Sequence, residues 1–324
     1  MSVQTNGRAG AAIAGTTVLA PILWGTTYVT ITELLPAGRP LLVAALRVVP
    51  AGIALLLIAR VRSPWHPHGA EWWRTAVLAL CNFGLFFPLL AVAVYRLPGG
   101  VAAAAGGMQP LLVASLTFLI AGRRPSRRDL GVGAVAAVGV ALVVVRPHAD
   151  IDAIGVLAAL AANVSFATGV VLTKRFPAPP NRLAATAWQL VLGGVLLVPL
   201  MLVVEGAPPG LSTRNVAGFA YLSLVGTAFA FVLWFSGIRK LPTAAPPLLG
   251  LASPITGATV GWILLGQSLS PVQIVGFAIT ISAIAFGATV ATRVDLESPR
   301  MRRHPRRPHE TLRRAGLGRP NRPS

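Results

Sequence analysis

The chain has 324 residues, of which 54% are hydrophobic and only 11% are charged, and its mean hydropathy is +0.70. This composition excludes an ordinary soluble domain and predicts a membrane protein. The net charge of +19 does not indicate a nucleic-acid partner, because basic residues also accumulate on the cytoplasmic side of membrane proteins.

Ten apolar runs follow one another along the chain. A helix needs roughly 20 apolar residues to cross the hydrocarbon core of a bilayer, and each run has about that length. Because lipid cannot hydrogen-bond to the backbone, each run is predicted to be helical. The sequence therefore predicts an all-α integral membrane protein with ten transmembrane helices, over residues 11–32, 40–60, 75–95, 99–121, 129–146, 153–173, 184–204, 216–237, 243–265 and 271–291.

The distribution of Lys and Arg predicts the orientation of these helices. With the N-terminus inside, the cytoplasmic loops contain twelve Lys and Arg residues and the outer loops contain four. The excess of positive charge belongs on the inside. Both termini of this multi-pass protein are thus expected in the cytoplasm, with the chain in the cytoplasmic (inner) membrane and residues 1–10 as a short cytoplasmic N-terminus.

Residues 292–324 form a basic tail that contains ten of the 28 Lys and Arg residues. The tail is rich in Arg and Pro and poor in apolar residues, so it is predicted to be a disordered cytoplasmic segment. One interpretation is a topology anchor that touches anionic lipid headgroups. The alternative is a segment that binds a partner protein.

The chain also repeats itself. A segment beginning with Leu97-Pro98 returns 144 residues later as Leu241-Pro242, and both copies end their apolar run at a glycine. The repeat predicts two five-helix halves, residues 11–146 and 153–291. Because five is odd, the second half enters the membrane inverted, as in secondary transporters. The matching positions are Leu97, Pro98, Gly106, Pro110, Ala114 and Gly122 with Leu241, Pro242, Gly250, Pro254, Ala258 and Gly266.

These features resemble the EamA branch of the drug/metabolite transporter superfamily over residues 11–291. The resemblance depends on Leu23-Trp24-Gly25-Thr26, on Arg47, and on the two proline-containing segments. It implies two inverted bundles of five helices and export or exchange of a small metabolite, such as an amino acid or a toxic amphipathic compound. No cofactor or metal is expected. A homodimer is an assembly that the sequence leaves open.

Polar residues inside the spans are the candidates for substrate binding, because such residues are expensive in hydrocarbon. Arg47 is the one charge well inside a predicted helix. It is interpreted as a fixed cation for a substrate carboxylate. The alternative is an arginine that snorkels to the outer surface or pairs with Glu33. Gln189 is its counterpart in the second half, and it contacts either substrate or a neighbouring helix.

The remaining candidates are aromatic or amide side chains and two prolines. The predicted substrate-binding set is Arg47, Trp24, Tyr28, Asn82, Gln109, Phe166 and Gln189. Packing between helices is the competing explanation for the aromatic residues. Pro110 and Pro254 each remove a backbone donor at equivalent places in the two halves, and they are predicted hinges.

The interiors of the spans contain no His, no Asp and no Glu, since Asp129 is the first residue of its span. An enzyme would need an acid, a base, a nucleophile or a metal set at one depth, so a transporter is favoured over an enzyme. A membrane sensor or scaffold without transport is the remaining alternative. Proton coupling also needs a titratable group at depth. Facilitated movement or exchange is therefore expected, with coupling through Glu33 as the alternative.

Overall fold

A computed structural model of the protein describes residues 2–62, 64–97, 106–122, 124, 127–144, 152–243, 245–265 and 270–297. Within these ranges all regular structure is helical, which confirms the all-α prediction. Seven helical segments among the described residues, four of them made of two consecutive helices, are long and apolar enough to cross a membrane, and three shorter apolar helices accompany them. The chain is a multi-pass membrane protein.

The helices, numbered in chain order, are α1 (Ser2–Gly25), α2 (Thr27–Leu34), α3 (Pro40–Arg62), α4 (Glu71–Ala79), α5 (Phe86–Arg96), α6 (Gln109–Ala121), α7 (Arg127–Val144), α8 (Ala153–Arg175), α9 (Arg182–Val204), α10 (Thr213–Ala220), α11 (Ala230–Lys240), α12 (Ala245–Gly250), α13 (Ala252–Leu265) and α14 (Pro271–Glu297). Helix α14 continues past residue 291, where the basic tail was predicted to begin. Residues 298–324 of that tail lie outside the described residues.

Several predicted spans are discontinuous rather than single helices. The first span is divided between α1 and α2 at Thr26, and the ninth is divided between α12 and α13 at Leu251. Two others contain a π-helical segment, Leu80–Gly84 between α4 and α5 and Tyr221–Phe229 between α10 and α11. A π-helix changes the hydrogen-bond partners of the backbone and often marks a functional site.

The two predicted hinge prolines lie at helix starts. Pro110 is the second residue of α6, and Pro254 is the third residue of α13. A proline in the first turn removes a donor that has no intrahelical partner there. The turn residues that interrupt the helices are instead Met108 and Leu251, immediately before α6 and α13. A hinge role for Pro110 and Pro254 stays a prediction.

Helices α3 and α9, which occupy equivalent places in the two halves, pack closely against each other. A Cβ atom at Gly52 would lie 3.0 Å from the Leu190 Cβ atom, and one at Gly194 would lie 2.7 Å from a Val49 methyl. The later residue of α3, Gly52, thus meets the earlier residue of α9, Leu190, whereas Val49 meets Gly194. The two helices are therefore antiparallel. Glycine allows their backbones to approach.

The first helix of each half packs on the π-interrupted helix of the other half. On one side α1 contacts α11, and a Cβ atom at Gly237 would overlap the Thr17 side chain. On the other side α8 contacts the Leu80–Gly84 segment, and a Cβ atom at Gly169 would overlap the Asn82 side chain. This reciprocal packing holds the two halves together along their length.

Two acidic side chains near the spans have structural roles. The Glu205 carboxylate accepts hydrogen bonds from the backbone N–H groups of Leu41 (2.6 Å) and Leu42 (2.9 Å) at the start of α3. Asp152 caps α8 by accepting from the Gly155 N–H at 2.8 Å, and it pairs with Arg96 at 3.0 Å. The Gly155 hydrogen bond and then Arg96 hold the pKa of the Asp152 carboxyl below its ordinary value.

Candidate functional site

A cavity lies between the two halves of the protein, with about 800 Å³ of space free of protein atoms when the part open to solvent is included. Five of the seven predicted substrate-binding residues line it, together with the predicted hinge Pro254. Residues from both halves contribute to its wall. Among the described residues the lining is Trp24, Thr27, Tyr28, Arg47, Phe86, Phe87, Leu90, Gly106, Gln109, Val113, Asn163, Phe166, Val170, Trp234, Pro247, Gly250, Ser253 and Pro254.

Arg47 is the charged residue of this lining, and its side chain is 2% exposed. Its Nε donates to the Thr227 hydroxyl at 2.7 Å, and its Nη2 donates to the Gly226 carbonyl at 3.1 Å. The guanidinium carbon also lies 4.3 Å from the centre of the Phe87 ring. These contacts fix the guanidinium at the wall of the cavity and link α3 to the second half.

The Gly226 carbonyl that accepts from Arg47 belongs to the π-helical segment Tyr221–Phe229. In an α-helix that carbonyl would accept from the backbone N–H of Ala230. Here the Ala230 N–H bonds to the carbonyls of Val225 and Thr227 instead. Gly226 also accepts from Trp24 Nε1 at 3.1 Å, so the π segment positions two residues of the cavity.

The alternative positions considered for Arg47 are not observed. The side chain is buried rather than extended to the surface, and Glu33 is exposed and lies 4.0 Å from Arg214 instead. Arg47 takes part in none of the salt bridges found among the described residues. Its charge is hydrogen-bonded to neutral groups but is not neutralised by a carboxylate.

Aromatic side chains form one side of the cavity and a cluster behind it. Trp24 meets Phe166 edge-on with ring centres 5.6 Å apart, and it lies 4.9 Å from Phe231 and 5.1 Å from Trp234. Phe166 stacks on Phe86 at 4.8 Å. Trp24 and Phe166 therefore both line the cavity and pack against neighbours, and their contact with substrate stays a prediction.

Gln109 and Asn163 form an amide pair in the lining. Gln109 Nε2 donates to the Asn163 Oδ1 atom at 2.9 Å and to its backbone carbonyl at 3.1 Å. Asn163 Nδ2 in turn donates to the Ala159 carbonyl at 2.8 Å. The pair joins α6 to α8, and much of its hydrogen-bonding capacity is already used within the protein.

Asn82 and Gln189 do not belong to the lining of this cavity. Asn82 Nδ2 donates to Gln189 Oε1 at 3.3 Å, and both side chains are buried. Gln189 lines a second cavity of about 420 Å³ that also includes Trp65, Arg74 and Arg239. The structure therefore separates these two residues from the other five, and their contact with substrate stays a prediction.

The sequence analysis did not identify several residues of the site. Asn163 is polar inside a predicted span, so its residue type alone could have identified it. Phe87 is indistinguishable in sequence from other apolar residues of its helix. Gly226 has no sequence signal, because its contribution is a backbone carbonyl in a π-helical segment, and its residue type does not indicate such a segment.

The sequence matches the model of the EamA-like transporter family twice, over residues 12–145 and 153–288. This chain belongs to the EamA-like transporter family. Membership in a transporter family agrees with a large cavity between two halves and argues for a carrier rather than an enzyme.

Relatives within this family cover most of the chain. Protein PecM of Dickeya dadantii is 38% identical over 82% of this chain and 88% of its own length. An uncharacterized inner membrane transporter, YedA of Escherichia coli K12, is 24% identical over 81% of this chain and 86% of its own. A probable amino-acid metabolite efflux pump of Salmonella typhimurium is 24% identical over 82% of this chain and 91% of its own.

A crystal structure of another protein has the same fold as this EamA-like chain. Its TM-score is 0.72, and the match covers 89% of this chain and 99% of the other. The two sequences are 18% identical, so the likeness concerns the arrangement of helices alone.

Proposed function

We propose that this protein is a secondary transporter that moves a small metabolite, an amino acid or a related compound, across the cytoplasmic membrane in the direction of export. The observation that supports this proposal best is the cavity between the two halves, with the buried guanidinium of Arg47 in its wall. The wall of this cavity is mostly apolar with a few polar groups, as is typical of pockets for small molecules. The efflux pump among the relatives supports the direction.

Alternating access is the proposed mechanism, with ten spans arranged as two inverted repeats. The antiparallel contact of α3 with α9 supports it, because equivalent helices of an inverted repeat run in opposite directions. Helices α7 and α14, which are the last helices of the two halves, also pack against each other. In this mechanism the two halves rock about the cavity, and the discontinuous helices beside it absorb the movement.

Arg47 is the proposed partner of an anionic group on the substrate. A guanidinium matches a carboxylate through two parallel hydrogen bonds. The described contacts of Arg47 use Nε and Nη2, so donors on Nη1 stay available to a ligand. A substrate carboxylate would supply the negative charge that Arg47 lacks within the protein.

Uptake of labelled amino acids and related carboxylates into vesicles containing the purified protein tests this function. We expect at least one of these compounds to enter faster than into protein-free vesicles, with saturation. Flux of apolar cations alone would favour an exporter of toxic amphipathic compounds. Absence of flux for every compound, with ligand binding retained, would favour a sensor or scaffold.

A further inference from the structure

We propose that the central cavity takes an organic carboxylate with an aromatic or apolar body and without a charged ammonium group. This assignment rests on the proposed transport function and narrows its substrate to the deaminated relatives of amino acids. The evidence for it is the set of hydrogen-bonding groups in the cavity wall and the positive charge of Arg47 in that wall.

Two donors in the wall have no acceptor among the described residues. They are the Thr27 hydroxyl and the Trp234 indole N–H, and both side chains are 2% exposed. A buried donor without an acceptor is unfavourable, because it has lost water and gained no partner. An acceptor on a ligand that enters the cavity would remove this penalty.

These two unpaired donors belong to the same wall as the positive charge of Arg47. The other amides of the wall, Gln109 and Asn163, are bonded to each other. The wall, which also contains the hydroxyls of Tyr28 and Ser253, therefore offers several donors and, among the described residues, one fixed cation to whatever fills the cavity. A carboxylate, which accepts through two oxygens and carries the opposite charge, is the group that satisfies these donors.

An ammonium group finds no equivalent partner. The lining that the described residues form contains no acidic residue, so none of them supplies a carboxylate to neutralise a second cation. Aromatic faces attract cations more weakly than carboxylates do, and the face of Phe87 is already covered by Arg47. A buried ammonium beside a fixed guanidinium is repelled and left without a counter-ion.

The aromatic wall indicates the body of the ligand. Trp24, Phe86, Phe166 and Trp234 present apolar surface to the cavity. Rings favour stacked or edge-on contact with other rings. A carboxylate attached to an aryl or similar apolar group therefore matches both the polar and the apolar part of the wall.

Three ligands with one aromatic body test the proposal. They are 3-phenylpropanoate, phenylalanine, which adds an ammonium, and phenethylamine, which has the ammonium and lacks the carboxylate. Binding to the full chain in detergent is measured by isothermal titration calorimetry. We expect 3-phenylpropanoate to bind at least about tenfold more tightly than phenylalanine, and phenethylamine to give no measurable heat.

Two conservative variants locate the ligand at the unpaired donors. Trp234→Phe and Thr27→Val each remove a donor that has no acceptor in the described protein. We expect each to weaken 3-phenylpropanoate about five- to tenfold while the protein stays folded, as a cooperative melting transition would show. Thr173→Val is the matched control, because the Thr173 hydroxyl is likewise buried and unpaired but lies outside the cavity lining.

Equal or tighter binding of phenylalanine would overturn the assignment, and so would unchanged affinity in both cavity variants. Absence of binding by all three ligands would overturn it as well. The transporter proposal is separable from these outcomes, because saturable uptake of any amino acid or other carboxylate into vesicles would still support it.

Discussion

Arg47 shows how one residue shapes both the packing and the chemistry of the cavity. A charged side chain inside a membrane protein is costly unless it is hydrogen-bonded within the bundle. Thr227 and Gly226 supply those bonds from the other half of the chain, and they leave the charge itself without a counter-ion. Arg47 is therefore secured in position and still able to attract an anion.

Arg47→Ala is expected to abolish or strongly reduce transport while the protein still inserts into the membrane. Arg47→Lys should recover only part of the activity, because an ammonium lacks the planar fork of the guanidinium. Uptake into vesicles containing equal amounts of each protein measures the effect.

The matched control is Arg60→Ala, which removes an exposed arginine near the other end of the same helix. It should transport as the unchanged protein does. Normal transport by both Arg47 variants would mean that this residue only joins the two halves.

At the scale of the elements, the close crossing of α1 and α13 defines one edge of the cavity. A Cβ atom at Gly25 would lie 2.5 Å from the Ser253 carbonyl oxygen, 2.5 Å from the Thr256 Cβ atom and 2.9 Å from the Gly257 nitrogen. Two of these atoms belong to the backbone, so they cannot move aside as a flexible side chain could. Glycine is required at residue 25 because two backbones approach each other there.

Gly25→Ala should therefore push α1 away from α13, with a destabilisation of about 1–3 kcal/mol and reduced transport. The melting temperature of the purified protein and its uptake activity are the measurements. Gly15→Ala is the control in the same helix, since nothing lies within 4 Å of a Cβ atom at Gly15. Equal melting temperatures for the two variants would contradict the close crossing.

The two π-helical segments also join the halves of the protein at this scale. Each one meets a polar side chain from the other half: Arg47 reaches Gly226 and Thr227, and Gln189 reaches Asn82. Arg47 and Gln189 occupy equivalent helices, α3 and α9, so the two contacts are reciprocal. Both link a helix of one half to the interrupted helix of the other.

At the scale of the whole molecule, the proposed inverted arrangement makes a definite prediction about sidedness. Tags at both termini and in loops 61–73 and 122–128 should be found in the cytoplasm, whereas tags near 147–152 and 206–214 should be found outside. The physical reason is the excess of Lys and Arg in the loops predicted to be cytoplasmic. Accessibility of each tag to a membrane-impermeant reagent measures its side.

A control tag on each side of a protein of known topology calibrates the labelling. Two consecutive loops on the same side of the membrane would rule out ten spans in two inverted halves. Such a result would leave membership in the EamA-like family unaffected.

Energy coupling is also a property of the whole molecule. Among the described residues, the cavity lining contains neither an acid nor a histidine. Two acids near the spans have other partners: Glu205 bonds to the start of α3, and Glu33 lies near Arg214. A proton carrier needs a group that loads and releases a proton as access alternates. We therefore expect facilitated movement or exchange down the gradient of the substrate.

Vesicles with substrate at equal concentration on both sides, given an imposed pH gradient, test this expectation. The substrate should stay at equal concentration. Sustained accumulation that an uncoupler abolishes would contradict the prediction. Loss of that accumulation in Glu33→Gln would assign the coupling to Glu33.

The sequence alone determined the features that depend on long, local patterns. Apolar runs separated by basic loops predict helices in a membrane, because a backbone in lipid has to satisfy its hydrogen bonds internally. The paired Leu97-Pro98 and Leu241-Pro242 segments predict two halves, and the family match over residues 12–145 and 153–288 agrees with a chain built from two related segments. Arg47 was identified because a charge within a span is exceptional.

Tertiary structure decided which polar residues meet. Asn82, Gln109 and Gln189 look alike in the sequence as amides inside apolar helices. Gln109 lines the cavity with Asn163, whereas Asn82 and Gln189 bond to each other outside its lining. The direction of each side chain depends on how helices from the two halves cross, and no local pattern encodes that crossing. The same reason applies to the Gly226 carbonyl, which accepts from Arg47 and Trp24. Its π-helical segment meets α3 and α1, which carry these two donors, only in the folded protein.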